Sequence, residues 1–160
     1  MEGMKAIYLN PKGIDIHTSD DIFSLGVSYR KMFNRLSAES IPQFDLPQGA
    51  PGAVPKEAVN LLMISFVCLS FSNELLLKAI IKKTMLQNAR KVHKFNELFT
   101  DLDPILQANI KNDVGAGQDF DSKLLENSAA FETFRYFYGG KIAFDIEFLE
   151  KLNDSLTNRY

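Results

Sequence analysis

The sequence predicts an all-α protein: an up-and-down helical bundle of four core helices plus a fifth that follows them, built around one long central helix. Three observations lead there. Apolar residues recur at i, i+3, i+4 and i+7 in one segment after another. Prolines and glycines gather between those segments instead of within them. No apolar/polar alternation of the strand kind persists over any length. The chain has 160 residues, 46% hydrophobic and 24% charged, which is ordinary globular composition and most simply one domain over 1–160.

Residues 1–19, with Pro11 and Gly13, read as an irregular arm. Ser19 or Asp20 offers a cap for a first helix, in which Ile22, Leu25, Tyr29, Met32 and Leu36 fall at helical spacing. Four of the six prolines and two glycines then crowd into ESIPQFDLPQGAPGAVP, so 39–55 is expected to be a loop. A loop of that length is uncommon in a small domain unless it has work to do. Pro55 opens the central helix, which runs through Lys83 and is apolar on most sides in its first half. Its one polar line is Ser70, Asn73, Glu74 and Lys78.

A third helix follows His93, with Phe95, Leu98, Phe99 and Leu102 on one face. Asp103 and Pro104 read as an N-cap and first-turn proline that restart it at a changed angle. IKNDVGAGQDFDS is expected to be a turn. A fourth helix spans about Ser122 to Tyr138 and stops at Gly139 and Gly140. The fifth, Ile142 to Leu156, repeats Ile146, Leu149 and Leu152 between charges.

Composition excludes several classes of function. A net charge of −2 argues against a protein that coats nucleic acid or an anionic membrane with its whole surface. The single cysteine, Cys68, rules out an internal disulfide, fits a reducing compartment and lies in an apolar run that should bury it. His17 and His93 stand far apart, so no metal site and no cofactor are expected. The start of the chain lacks a basic region followed by an apolar core, and the apolar run Leu61–Phe71 is too short to span a bilayer. A cytoplasmic protein without a membrane partner is the expectation.

No nucleophile elbow, Walker loop, dinucleotide-binding glycine pattern or metal motif occurs. Charge, however, is uneven. From Leu75 to Asn96 there is no acid, but Lys78, Lys82, Lys83, Arg90, Lys91, His93 and Lys94 are all present. Such a stretch suits a phosphate-bearing partner, although cations near a helix C-terminus also answer its dipole. The residues with chemistry to offer are Glu74, Lys78, His93, Arg135, Tyr136 and Tyr138. Glu74 and Lys78 stand at i, i+4 in the favourable order, a pair worth roughly 0.3–0.5 kcal/mol on a helix surface. Arg135 sits inside the aromatic run FETFRYFYGG at the edge of the Phe131, Phe134 and Tyr138 stripe. A guanidinium there needs a carboxylate, for which Glu74 is a candidate, or an anionic ligand.

FSNELLLKAIIKK (71–83), KVHKFNELFTDL (91–102) and FETFRYFY (131–138) resemble, in order and spacing, three signatures of the higher eukaryote and prokaryote nucleotide-binding (HEPN) family. Relatives read like A-x-E-L-x-L-K-A-L-L, G-H-D-L and F-E-x-x-R-Y-x-Y-E. The resemblance covers about Val59 to Leu156. It implies a helical bundle, often a homodimer, serving either as a metal-independent ribonuclease of toxin–antitoxin and antiviral systems or as a non-catalytic module that binds a nucleotide, RNA or a partner nucleotidyltransferase. Residue by residue, Glu74, Lys78, His93, Arg135, Tyr136 and Tyr138 match pattern positions. The catalytic subgroup carries an arginine, four to six residues, and a histidine in one helix. Here only two residues separate Arg90 from His93, no histidine follows Arg135, and Gly139 and Lys94 stand where relatives carry acids.

Three readings follow. The first is a binding or regulatory module that uses Lys78, His93 and Arg135. The second is a purely structural helical dimer whose polar cluster fixes packing. The third is a ribonuclease with His93 as base and Arg135 or Arg90 as phosphate clamp, which requires His93 and an arginine to meet in space.

Overall fold

The computed structural model describes residues 18–43, 55–86, 89–128 and 145–160. Among these residues it is all-α, a bundle of six helices with no strand: α1 (Ser19–Ser40), α2 (Lys56–Met85), α3 (Phe95–Phe99), α4 (Pro104–Val114), α5 (Phe120–Ser128) and α6 (Ile146–Arg159). The arm 1–17, the Pro-rich 44–54 and the expected end of the fourth helix at 129–144 lie outside the described residues.

Local chemistry sets the helix ends. α1 is capped by Thr18, whose Oγ1 accepts from Asp21 N at 3.1 Å, one position before the expected cap, and Asp20 and Asp21 answer the dipole of the first turn. It runs through Glu39 and Ser40 into a 3₁₀ turn at Ile41–Gln43, so the first five residues of the expected loop are ordered helix and turn. α4 follows the expected punctuation: Asp103 Oδ1 accepts from Ile105 N at 2.8 Å, Pro104 takes the first position, and Gly115 closes the helix at φ 69°, where a side chain would be strained. The expected turn after it is shorter than read, because a 3₁₀ turn at Gly117–Asp119 leads directly into α5 at Phe120. α6 begins at Ile146, with the Asp145 side chain accepting from Phe148 N at 2.9 Å.

α2 is the axis of the core. Leu69, Leu76, Leu77, Ile80 and Ile81 are fully enclosed, against Phe95 and Leu98 of α3, Phe120 of α5, and Leu149, Leu152 and Leu156 of α6. Rings continue the packing from α3 through α5 to α6: Phe99 lies 5.1 Å from Phe120, and Phe120 lies 5.5 Å from Phe148. Cys68 is buried, and that burial pushes its thiol up from the ordinary value, leaving it unreactive. By length and composition α2 does reach what a membrane span needs, contrary to the expectation from its shorter uninterrupted run. Yet 67% of its apolar window is buried within the fold.

α1 packs antiparallel on α2, so that Tyr29 meets Phe71 edge-on with ring centroids 4.7 Å apart and Gly26 meets Leu76. The periodic set Ile22, Leu25, Tyr29, Met32 and Leu36 is only partly covered, with Tyr29 and Leu36 packed against the core. α1 buries Gly26, Phe33, Ser37 and Ser40, while Leu25 and Met32 stay 49% and 47% exposed. Close approach explains the choice: a Cβ on Gly26 would come within 3.1 Å of Leu76 Cδ2, so a small residue is what fits there. The serines are compatible with burial because Ser37 Oγ donates to Phe33 O and Ser40 Oγ to Leu36 O, each at 2.8 Å.

α6 runs parallel to α2, since Asn73 meets Leu149 and Lys83 meets Tyr160 further along both. It is joined to α1 by Arg30, whose Nη2 lies 3.1 Å from Glu150 and 3.6 Å from Asp154. It is joined to α4 by Asp113, which accepts from Ser155 Oγ at 2.8 Å and takes the Arg159 guanidinium on both oxygens.

Candidate functional site

The polar strip of α2 divides between two jobs. Asn73 turns into the core, where its Nδ2 donates to Leu149 O at 3.0 Å and its Oδ1 accepts from Asn153 Nδ2 at 2.8 Å. Asn153 Nδ2 also donates to Ser72 Oγ at 2.8 Å, and Ser72 Oγ in turn donates to Gly26 O at 2.8 Å. This buried relay ties α1, α2 and α6 together. Ser72 and Asn153 were not among the residues picked from the sequence; the signal was an asparagine standing on the apolar face of α6 beside Leu149, Leu152 and Leu156.

One helical position on, Glu74 and Lys78 face the segment that leads into α3. Glu74 is 1% exposed. Its Oε1 accepts from Lys78 Nζ at 2.6 Å and lies 3.0 Å from His93 Nδ1. With a Glu74 oxygen as the acceptor, the donor in this contact is an Nδ1–H of His93. Glu74 Oε2 is buried with no hydrogen-bond partner among the described residues. The arrangement is therefore a sunken carboxylate that holds an ammonium and an imidazole through one oxygen, with the His93 side chain 50% exposed and Lys78 19% exposed.

The segment before α3 fixes where His93 stands. Ala89 and Val92 pack on the core, and Phe95 is fully enclosed. Arg90 grips Asp101 with both arms of its fork, Nε to Oδ2 at 2.7 Å and Nη2 to Oδ1 at 2.8 Å, and also donates to the Glu97 carbonyl. That bond to Asp101, ahead of the smaller Coulomb contributions, raises the guanidinium further above its ordinary value. Asn96 N donates to Ser128 Oγ at 3.0 Å and binds α3 to α5. His93 is thus presented from an anchored segment.

The basic stretch is largely engaged within the chain. Arg90 is held by Asp101. Lys83 donates to the Tyr160 carbonyl and stands 3.9 Å above that ring. Lys94 lies 3.7 Å from Glu97. Lys82 and Lys91 form no ion pair among the described residues.

No protein-family model, curated protein or solved structure matches the chain. The geometry is accordingly what bears on function. It brings together three of the six residues singled out in the sequence, Glu74, Lys78 and His93; Arg135, Tyr136 and Tyr138 lie outside the described residues. Among the described residues no group of three or more His, Cys, Asp and Glu side chains is placed to hold a metal ion. A depression of about 500 Å³ between α4 and α6 is lined by Asp113, Lys151, Asp154, Ser155, Asn158 and Arg159. It is away from the Glu74 cluster, and its main charges neutralise one another: Asp113 is bound by Ser155 and Arg159, which hold its carboxyl below the usual range, and Lys151 lies 2.7 Å from Glu147.

Proposed function

We propose that the chain is a HEPN-like helical binding module, non-catalytic, that receives a phosphate-bearing ligand, a nucleotide or RNA, beside Lys78 and His93. The observation that carries this reading is the buried Glu74 carboxylate, which orients an ammonium and an imidazole at the surface through a single oxygen. Lys78 has three N–H donors and gives one to Glu74, so its head group retains hydrogen bonds for an anion while its position is fixed. The three signatures resembling the HEPN family place Glu74, Lys78 and His93 at pattern positions, and a toxin–antitoxin or defence setting with a partner nucleotidyltransferase belongs to the same reading.

The second reading, a structural role, is favoured by the closure of Glu74 on partners within its own chain and by the buried Ser72–Asn73–Asn153 relay. One experiment separates them. Binding of nucleotides and short labelled RNAs is followed in EDTA by fluorescence polarisation and thermal shift, for wild type, Lys78→Met and His93→Ala. A ligand that stabilises wild type and binds both variants at least about tenfold more weakly supports the module. No response to any anion, with folded variants behaving like wild type, sinks it in favour of the structural reading. RNA cleavage in EDTA that disappears in His93→Ala would make the protein a ribonuclease.

A further inference from the structure

Ser70 is the member of the α2 polar line that takes part in neither the Asn73 relay nor the Glu74 cluster. It is fully enclosed, and its Oγ has no hydrogen-bond partner among the described residues. The other buried serines described all donate. Ser37, Ser40 and Ser65 bond carbonyls of their own helices, Ser72 the Gly26 carbonyl, Ser128 Asn96, and Ser155 Asp113. A helical serine has a carbonyl of the preceding turn within reach, and Ser70 does not use it.

Glu74 repeats the pattern one turn on. Lys78 Nζ and His93 Nδ1 both stand on Oε1, at 2.6 Å and 3.0 Å, whereas Oε2 is buried with no partner. Residues four apart share a helix face, and helical side chains lean toward the N-terminus. Lys78 leans back on Glu74 in this way, and the Glu74 carboxyl leans back over the turn that carries Ser70. Two unpartnered oxygens therefore lie on one buried face of α2, one turn apart, without bonding each other.

We infer that a single resident water joins Ser70 Oγ to Glu74 Oε2 and forms the floor of the Glu74 cluster. Water supplies what both oxygens lack, a proton for the carboxylate and a partner for the hydroxyl. A cation fits less well, because the carboxylate charge is already answered by the Lys78 ammonium. A larger solute does not reach these atoms, since Ser70 and Glu74 are 0% and 1% exposed. The water also bears on the site above it. By holding Oε2 inward it fixes the plane of the carboxyl, and Oε1 is then the oxygen that Lys78 and His93 share. The inference rests on α2 and is independent of which ligand the cluster receives.

The test begins with a crystal structure of the full chain in which ordered waters are located. A water within about 2.5–3.0 Å of both Ser70 Oγ and Glu74 Oε2 is expected. A direct bond between the two oxygens, or Ser70 Oγ turned onto an α2 carbonyl with no water on Oε2, would overturn the inference. In solution, magnetic relaxation dispersion counts the long-lived internal waters. Ser70→Asn sets an amide N–H where the water stands, so the count should fall by one while the ¹⁵N shifts of the His93 ring stay as in wild type. Ser70→Ala takes away one of the water's partners and should shift the His93 ring resonances, and Ser70→Thr, which keeps the hydroxyl, should leave them in place. An unchanged count in Ser70→Asn, or a His93 ring indifferent to Ser70→Ala, would also overturn it. Far-UV circular dichroism establishes that each variant is folded, and the wild-type crystal result stands without them.

Discussion

Asn153 on α6 and Asn73 on α2 share a buried hydrogen bond of 2.8 Å across 80 positions of sequence. Each amide has a second partner, Ser72 for Asn153 and the Leu149 carbonyl for Asn73, so that removing one side chain strands the others. Asn153→Ala is expected to cost about 1–3 kcal/mol in urea unfolding, the range for leaving buried polar groups unsatisfied. Asn73→Ala should cost a similar amount, and the double variant less than the sum, with a coupling of about 0.5–3 kcal/mol. Strict additivity would show that the two amides act separately.

Glu74→Ala removes the acceptor of both Lys78 and His93. A loss of about 1–3 kcal/mol is expected from denaturant unfolding, because hydrogen bonds to a charged group disappear together. The more specific readout is the His93 ring. Its ¹⁵N shifts should report an Nδ1–H proton in wild type and lose that preference in Glu74→Ala. Unchanged ring shifts would show that the 3.0 Å contact does not govern the tautomer.

Gly26→Ala sets two effects against each other. Alanine is favoured over glycine in a helix interior by about 1 kcal/mol. The new methyl, however, would stand 3.1 Å and 3.2 Å from Leu76 Cδ2 and Cγ, and Leu76 is fully enclosed. Overpacking of this kind costs about 1–3 kcal/mol, so a net loss of stability is expected, larger for Gly26→Val. A stabilised Gly26→Ala would mean that α1 and α2 separate more readily than their packing suggests.

Acid should weaken the fold at two joints. The bond from Ser155, then that from Arg159, lowers the Asp113 carboxyl; Lys123, then the Phe148 amide, lowers that of Asp145. Both carboxyls are thus more acidic in the folded chain than in the unfolded one. Their contribution is complete above the unfolded value of 3.8 and is lost as pH falls through the lower folded values. Asp113→Asn should flatten the stability–pH curve below about pH 4 and leave its shape near neutrality unchanged. An unchanged slope in acid would show that Asp113 contributes no linkage.

What the sequence disclosed was what neighbouring residues decide. The Asp103–Pro104 start of α4, the Phe95–Leu98–Phe99–Leu102 face and the Glu74–Lys78 pair all depend on contacts within one or two turns, and all are found where they were expected. His93 joins that pair from 19 residues away. Helical spacing alone does not tell which residues of α1 are buried: Leu25 and Met32 stay exposed, whereas close helix approach selects Gly26 and the self-satisfied Ser37 and Ser40. The place of Asn153 on the apolar face of α6 marks it as buried, but nothing local names Ser72, 81 residues away, as its partner.

The buried relay also has a bearing on how the protein is made. α1 and α2 leave the ribosome first, but the Asn73 amide finds its acceptor and its donor only when α6 has been synthesised, about 80 residues later. At cellular rates of elongation that interval is roughly 4–16 s. Throughout it, the apolar row of Leu76, Leu77 and Ile80 has no α6 to close over it. α6 is therefore the element whose arrival completes the enclosure of that row.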